Sequence, residues 1–173
     1  MSIPVARKED GPKKFVNGYG EVEILKGTHP LVRTFMCELK AGSNVNLELF
    51  KDKIAVYCFI KGEGYITTKN HAFNINEISF FVPNFNLEDV RLYAVSDLQI
   101  VKFVTTMLES DKARYKKTHT LLPFFKPLSQ ADKYTQDCKG PNTISWSIIH
   151  PGSLARELCG VVKAYGKGEG TVE

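Results

Sequence analysis

From Phe15 to about Met107 the chain never runs far without a turn signal, and this punctuation restricts it to short extended segments. Runs rich in β-branched and aromatic residues are separated by Lys40-Ala-Gly42, Lys61-Gly-Glu-Gly64, Lys69-Asn70, Asn74 to Asn76, Pro83-Asn84 and Ser96-Asp97, the residue types that turns require. No amphipathic helical period of useful length interrupts them. The spacing predicts strands at Gly20 to Leu25, Thr34 to Lys40, Ser43 to Phe50, Ile54 to Lys61, Gly64 to Thr68, His71 to Ile75, Ile78 to Val82, Val90 to Ala94 and Leu98 to Thr105. The expected class is all-β, a sandwich or barrel, and the short connections predict antiparallel pairing of strands adjacent in sequence.

After Met107 the pattern changes. Leu108 to Lys117 carries helix formers, Pro123-Phe-Phe-Lys-Pro127 ends any helix, and Ser129 to Tyr134 suits a further helical turn. Residues 1–107 are therefore read as a barrel and 108–141 as a connector packed on it through Leu121, Leu122, Phe124 and Phe125. Residues 142–173 are read as the opening strands of a second unit: Thr143 to Ile149, a turn at Pro151-Gly-Ser153, Ala155 to Tyr165, then Gly166-Lys-Gly-Glu-Gly170. The first unit shows the same order: a strand, a turn at His29-Pro30, an Arg33-led strand with Cys37, then Lys40-Ala-Gly42. Arg156, Cys159 and Lys163-Ala164 take those places later, as in an internal repeat cut short.

The frame from Gly42 to Gly62 resembles the first motif of the cupins: Gly, five residues, His-x-His, three or four residues, Glu, six residues, Gly. The resemblance implies a double-stranded β-helix, or jelly-roll, barrel. It places the metal-ligand positions on Glu48, Phe50 and Ala55. In the looser second motif, Asn76-Glu77 stands where Gly-Asp is common, Pro83-Asn-Phe85 replaces a Pro-x-Gly turn, and the last ligand position falls on Leu87 or Glu88. A cupin metal site needs three imidazoles and a carboxylate around one divalent ion. With those imidazoles replaced, no metal and no cofactor is expected, and Glu48 is expected to meet a lysine or water at the barrel mouth. If Glu48 faces inward, strand alternation sends Phe50 inward too, and Ala55, Tyr57 and Phe59 share one face. The candidate pocket is thus Glu48, Phe50, Ala55, Tyr57, Phe59 and Glu88, aromatic, with one phenol.

The remaining features narrow the partners. With 43% hydrophobic residues in 173, the chain can bury one core and begin another. Its longest apolar stretches fall short of the ~20 residues of a membrane span, and the N-terminus lacks a secretory core, so a cytoplasmic protein without membrane partners is expected. Cys37, Cys58, Cys138 and Cys159 show no Cys-x-x-Cys spacing and read as buried thiols in apolar surroundings. The net charge of +4 and the basic segment Lys112-Ala-Arg-Tyr-Lys-Lys117 raise nucleic acid as a partner. The neighbouring Glu109 and Asp111, and the lack of any nucleic-acid-binding signature, favour a solvated surface instead. His29, His71, His119 and His150 show no ligand spacing, Gly18-Tyr-Gly20 lacks the context of a phosphate loop, and Ser145 and Ser147 lack that of a nucleophile.

Three functions remain open. The first is a non-catalytic cupin half that supplies structure, a dimer surface or a small-molecule site. The second is a metal-dependent isomerase, lyase or dioxygenase acting on a small sugar or organic acid, with its chemistry in the second barrel. The third is acid–base catalysis by Glu48 with Tyr57, which requires Glu48 to be buried. The cupin resemblance implies a homodimer. If Gly168 takes the part of Gly42, the sequence stops where the first metal histidine would stand. It is therefore expected to be a fragment of a two-barrel protein, or to pair its tail with another subunit.

Overall fold

Two glycines decide how the chain leaves one strand for the next. Gly42 and Gly62 hold φ angles of 76° and 100°, which side chains rarely adopt. A Cβ at Gly62 would also strike the backbone carbonyl of Asp97. The computed structural model describes residues 3–118, 120–135 and 139–165. In it, both glycine turns carry the chain from one sheet to another instead of back along the same one.

The first unit comprises Met1–Leu108 and Leu121–Pro127. Its strands are β1 (Tyr19–Ile24), β2 (Val32–Leu39), β3 (Asn44–Asn46), β4 (Lys53–Lys61), β5 (Gly64–Thr67), β6 (Ala72–Ile75), β7 (Ser79–Val82), β8 (Arg91–Ala94), β9 (Leu98–Thr106) and β10 (Phe124–Pro127). They form two sheets, ordered β1-β2-β9-β4-β7-β10 and β3-β8-β5-β6. The strand positions agree with the turn-residue reading except at Ser43 to Phe50, of which only Asn44–Asn46 is a strand, but the pairing does not. Only β1 with β2 and β5 with β6 pair as sequence neighbours; β2 pairs with β9, β3 with β8 and β4 with β7. These pairs are nested, so the chain is one long hairpin wrapped on itself, the jelly-roll topology. A short connection fixes proximity but not the sheet in which the next strand lies.

The core lies between the inner faces of the two sheets. One row crosses five strands: Phe35 opposite Lys102, Lys102 opposite Tyr57, Tyr57 opposite Phe81, and Phe81 opposite Phe125. Ile66, Ile75 and Leu92 from the other sheet, and Leu47 just beyond β3, join the same apolar cluster. β10 is an addition to the edge at β7, where prolines are tolerated because no further neighbour needs their N–H. Of the four contacts expected from the connector, Phe125 packs against the core, Leu122 and Phe124 are half-buried, and Leu121 is exposed.

The second unit comprises Glu109–Thr120 and Leu128–Glu173, so the segment read as a connector is divided between the two units. It contains α1 (Glu109–Tyr115), a 3-10 turn at Leu128–Gln130, and a sheet of β11 (Asp132–Tyr134), β12 (Thr143–Leu154) and β13 (Glu157–Ala164) in that order. The helical turn expected at Ser129 to Tyr134 is thus confined to its start and gives way to a strand. Pro151-Gly-Ser153 is not the turn expected from its composition. β12 runs through it as a bulge, where the register slips between Ile149 and Leu154, and the chain reverses at Ala155 and Arg156. Cys37 and Cys159 each lie on a strand paired antiparallel to the one before it, but Arg33 is within its strand whereas Arg156 is at the turn. The glycine-rich Gly166 to Gly170, the alignment of Gly168 with Gly42, His119 and Cys138 lie outside the described residues. Among the described residues no helix is long and apolar enough to cross a membrane.

Candidate functional site

Strand β9 presents Leu98, Ile100, Lys102 and Val104 to the interior in alternation. Three of these belong to the apolar core, whereas the Lys102 side chain is only 2% exposed and carries an ammonium. Burying such a group costs several kcal/mol unless it is paired. Its partner comes from β1: Nζ donates to Oε2 of Glu21 at 2.5 Å. That same carboxylate oxygen accepts from the Tyr19 hydroxyl at 2.6 Å and from the Cys37 thiol at 3.5 Å. On the other side, Lys102 Nζ lies 4.3 Å from the centre of the Phe35 ring, a cation–π contact.

These groups close a cavity of about 220 Å³ lined by Tyr19, Glu21, Asn46, Glu48, Tyr57 and Lys102 among others. Glu48 stands at its mouth, with Oε2 4.0 Å from Lys102 Nζ and a side chain 67% exposed. The expected inward alternation fails because β3 ends at Asn46, and it is Leu47 that enters the core. Tyr57 donates its hydroxyl to the backbone carbonyl of Glu48 at 3.2 Å, tying the mouth to β4.

The structure thus brings Glu48 and Tyr57 to one cavity. Ala55 and Phe59 share Tyr57's face but are buried in the apolar core, and Phe50 packs against that core from its edge. Glu88 lies elsewhere, in a surface depression with Asn46, Lys69 and Arg91. Sequence reasoning missed Lys102, Glu21 and Tyr19. One signal was available: a lysine alternating with Leu98, Ile100 and Val104 puts a charge on an apolar face.

The electrostatics follow from this packing. Burial pushes the Tyr19 and Tyr57 phenols far above their ordinary range, and the charge interaction with Cys37 adds to both. Burial likewise pushes the Cys37 thiol up to about 12. Burial also works against the Glu21 carboxylate, but hydrogen bonds from Lys102 and Tyr19 outweigh it and hold the group below the usual carboxylate range. Each shift fixes its group in one protonation state near neutrality. Two pH effects are expected, one on each side. Glu21, with a lowered folded value, contributes stability that is present above its unfolded value of about 4.3 and is lost as pH falls below it. Cys37, with a raised folded value, contributes stability that is present below about 8.5 and is lost as pH climbs from there. Urea midpoints should therefore be flat between about pH 5 and 8 and fall on both sides, and Cys37→Ala should make the alkaline fall shallower, the remainder coming from Cys159, whose thiol burial pushes up to about 11. An unchanged alkaline profile in Cys37→Ala would rule out this role for the thiol.

The residues present do not fit the metal that a cupin barrel implies. Phe50 and Ala55 offer no donor atom, Leu87 is exposed, Glu88 is in another depression, and the Lys102 ammonium lies beside Glu48 and would repel a divalent ion. Among the described residues no group of three His, Cys, Asp or Glu side chains could hold a metal ion. The histidines lie elsewhere: exposed His29 accepts from the Leu31 N–H, and exposed His71 stacks on Phe73. In the second unit, Ser147 Oγ lies 3.1 Å from His150 Nδ1, and His150 Nε2 lies 3.1 Å from Asp132 Oδ2. The imidazole and carboxylate are open to water, which screens them and removes the sheltered environment that a nucleophile requires.

No protein-family model matches the sequence, and no curated protein matches it. Solved structures do match. Ectoine synthase from P. lautus is 18% identical over 61% of this chain and 80% of its own, with a TM-score of 0.51. KdgF from Halomonas sp. is 8% identical over 63% of this chain and 97% of its own, with a TM-score of 0.52. A protein provisionally named as glyoxylate-induced, from Pseudomonas aeruginosa, is 11% identical over 78% of this chain and 50% of its own, with a TM-score of 0.60. At these identities the likeness concerns the backbone alone, and with the nested pairing of β2 to β9 it shows that the chain has a cupin fold.

Proposed function

We propose that the first unit is a binding barrel for a small, uncharged, hydroxyl-rich molecule, with the Lys102–Glu21 ion pair at the wall of its cavity. The observation that carries this reading is the buried ammonium itself, which supplies a fixed polar anchor at the barrel's inner wall. Glu21 already neutralises it, so a charged ligand would gain little from either group. Remaining Lys102 N–H groups can donate to the cavity, and Glu48 and Asn46 offer acceptors at its mouth. The shifted groups all move away from neutral pH, which suits binding better than proton transfer. Acid–base catalysis by Glu48 with Tyr57 loses its premise, because the Glu48 carboxylate is exposed.

The test pairs metal content with ligand binding. Elemental analysis of the purified chain should find less than about a tenth of an equivalent of any transition metal, in wild type and in Glu48→Gln alike. A panel of monosaccharides and small polyols should include one that raises the melting temperature of wild type but not of Lys102→Met. Near-stoichiometric metal lost in Glu48→Gln, or a ligand shift unaffected by Lys102→Met, would overturn the reading.

A second reading adds to the first: this chain is part of a two-barrel protein with metal chemistry in the other barrel. The match to the Pseudomonas protein favours it, because 78% of this chain exceeds what the first unit alone supplies, yet that match takes up half of the other protein. A homodimer belongs to the same proposal.

A further inference from the structure

The basic segment Lys112 to Lys117 does not act alone. Arg114 at the end of α1 and Lys117 just beyond it meet Arg156, from the turn between β12 and β13, around one cavity of about 520 Å³ within the second unit. The remaining wall is formed by Pro151, Gly152 and Ala155, so no acidic side chain lines it. Arg156 is held from behind: its Nη2 lies 3.0 Å from Oδ2 of Asp111, whose side chain is only 4% exposed. This ion pair fixes the guanidinium at the cavity wall at low entropic cost. Arg114 and Lys117 are exposed, and among the described residues neither side chain has an ion-pair partner.

We propose that this cavity is a binding site for a phosphomonoester, separate from the barrel site and independent of the reading given for it. A phosphomonoester carries a charge of about −1.5 to −2 near neutrality, with three acceptor oxygens. The exposed Arg114 guanidinium can meet those oxygens bidentately while Lys117 adds a compact point charge and Arg156 holds the wall between them positive. The cavity is larger than an inorganic phosphate, and the Pro151 and Ala155 side of its wall suits the organic body of the ester. The bulge at His150 to Ser153 earns its place here, because it brings Pro151 and Gly152 to the same rim as the Arg156 turn. A small organic phosphate fits this concave arrangement better than a nucleic acid does, since the three cations converge on one cavity instead of tracking along a surface.

Isothermal titration of the full chain at low ionic strength, with glycerol 1-phosphate, inorganic phosphate and sulfate as probes, tests the proposal. One site should appear, with glycerol 1-phosphate binding about tenfold more tightly than sulfate. The double variant Arg114→Gln, Lys117→Gln leaves the Arg156–Asp111 pair intact and should weaken the phosphomonoester at least tenfold, with its thermal melt unchanged. If the double variant does not fold, Lys117→Gln alone should still lower affinity about threefold. No heat at millimolar phosphomonoester would overturn the proposal, as would equal affinity for sulfate, an unaltered affinity in the folded variants, or tighter binding of duplex DNA with a steep salt dependence.

Discussion

Replacing Glu21 by leucine is expected to destabilise the protein far more than replacing Lys102 by methionine, although both changes break the same ion pair. Glu21→Leu leaves an ammonium whose side chain is 2% exposed with only the solvent-exposed Glu48 carboxylate, 4.0 Å away, in place of its close partner. Unpairing a buried charge costs about 3–5 kcal/mol, and the lower end applies because the Glu21 side chain is 26% exposed, which lets some water reach the orphaned cation. Lys102→Met removes the charge and keeps much of the shape. Glu21 then retains its bonds from Tyr19 and Cys37 and gains hydration, so the net change should stay within about 1 kcal/mol in either direction. Urea unfolding of the two variants at neutral pH decides the matter. Equal losses, or a larger loss in Lys102→Met, would mean that the ammonium is not buried as the structure has it.

The second large effect is expected at Phe81. This ring is fully buried, lies opposite both Tyr57 and Phe125, and is tilted against Tyr57 and Phe73 with centroids 6.4 and 6.0 Å away. Phe81→Ala removes a filled volume from the middle of the barrel, and because β7 is paired on both sides the backbone has little freedom to close the gap. A loss of about 3–5 kcal/mol follows, equivalent to more than ~10 °C in melting temperature for a unit of this size. A loss below about 1.5 kcal/mol would show that the aromatic row does not fill the barrel.

The two variants probe what the sequence could and could not disclose. Turn residues set the strand positions well, because Gly42 and Gly62 need backbone angles that few other residues allow. Pairing was not legible: a short turn is compatible both with a hairpin and with a step to the facing sheet, and only the shared core chooses. Tyr57, Ala55 and Phe59 could be assigned to one face because β4 is long and regular. Glu48 could not be placed, because its strand ends two residues earlier and alternation no longer applies. Lys102 escaped for a different reason. The motif's ligand positions lie on the strands from Gly42 to Glu88, whereas Lys102 comes from β9, which carries none of them. In Phe124–Pro127 proline excludes a helix and a central strand, yet it leaves an edge position open.

The nested pairing also sets an order of assembly. The innermost hairpin, β5 with β6, closes a short loop, whereas β2 with β9 joins segments separated by most of the barrel. Loop-closure entropy makes such distant contacts late and slow, on the millisecond-to-second scale typical of β-rich topologies. Glu21 and Cys37 sit on the local β1–β2 pair and Lys102 on β9, so the distant β2–β9 contact is the one that brings them together. By that order the cavity is completed only at the final closing step, so a molecule of the kind proposed would act as a latch on that step, holding the finished fold shut without guiding the chain towards it.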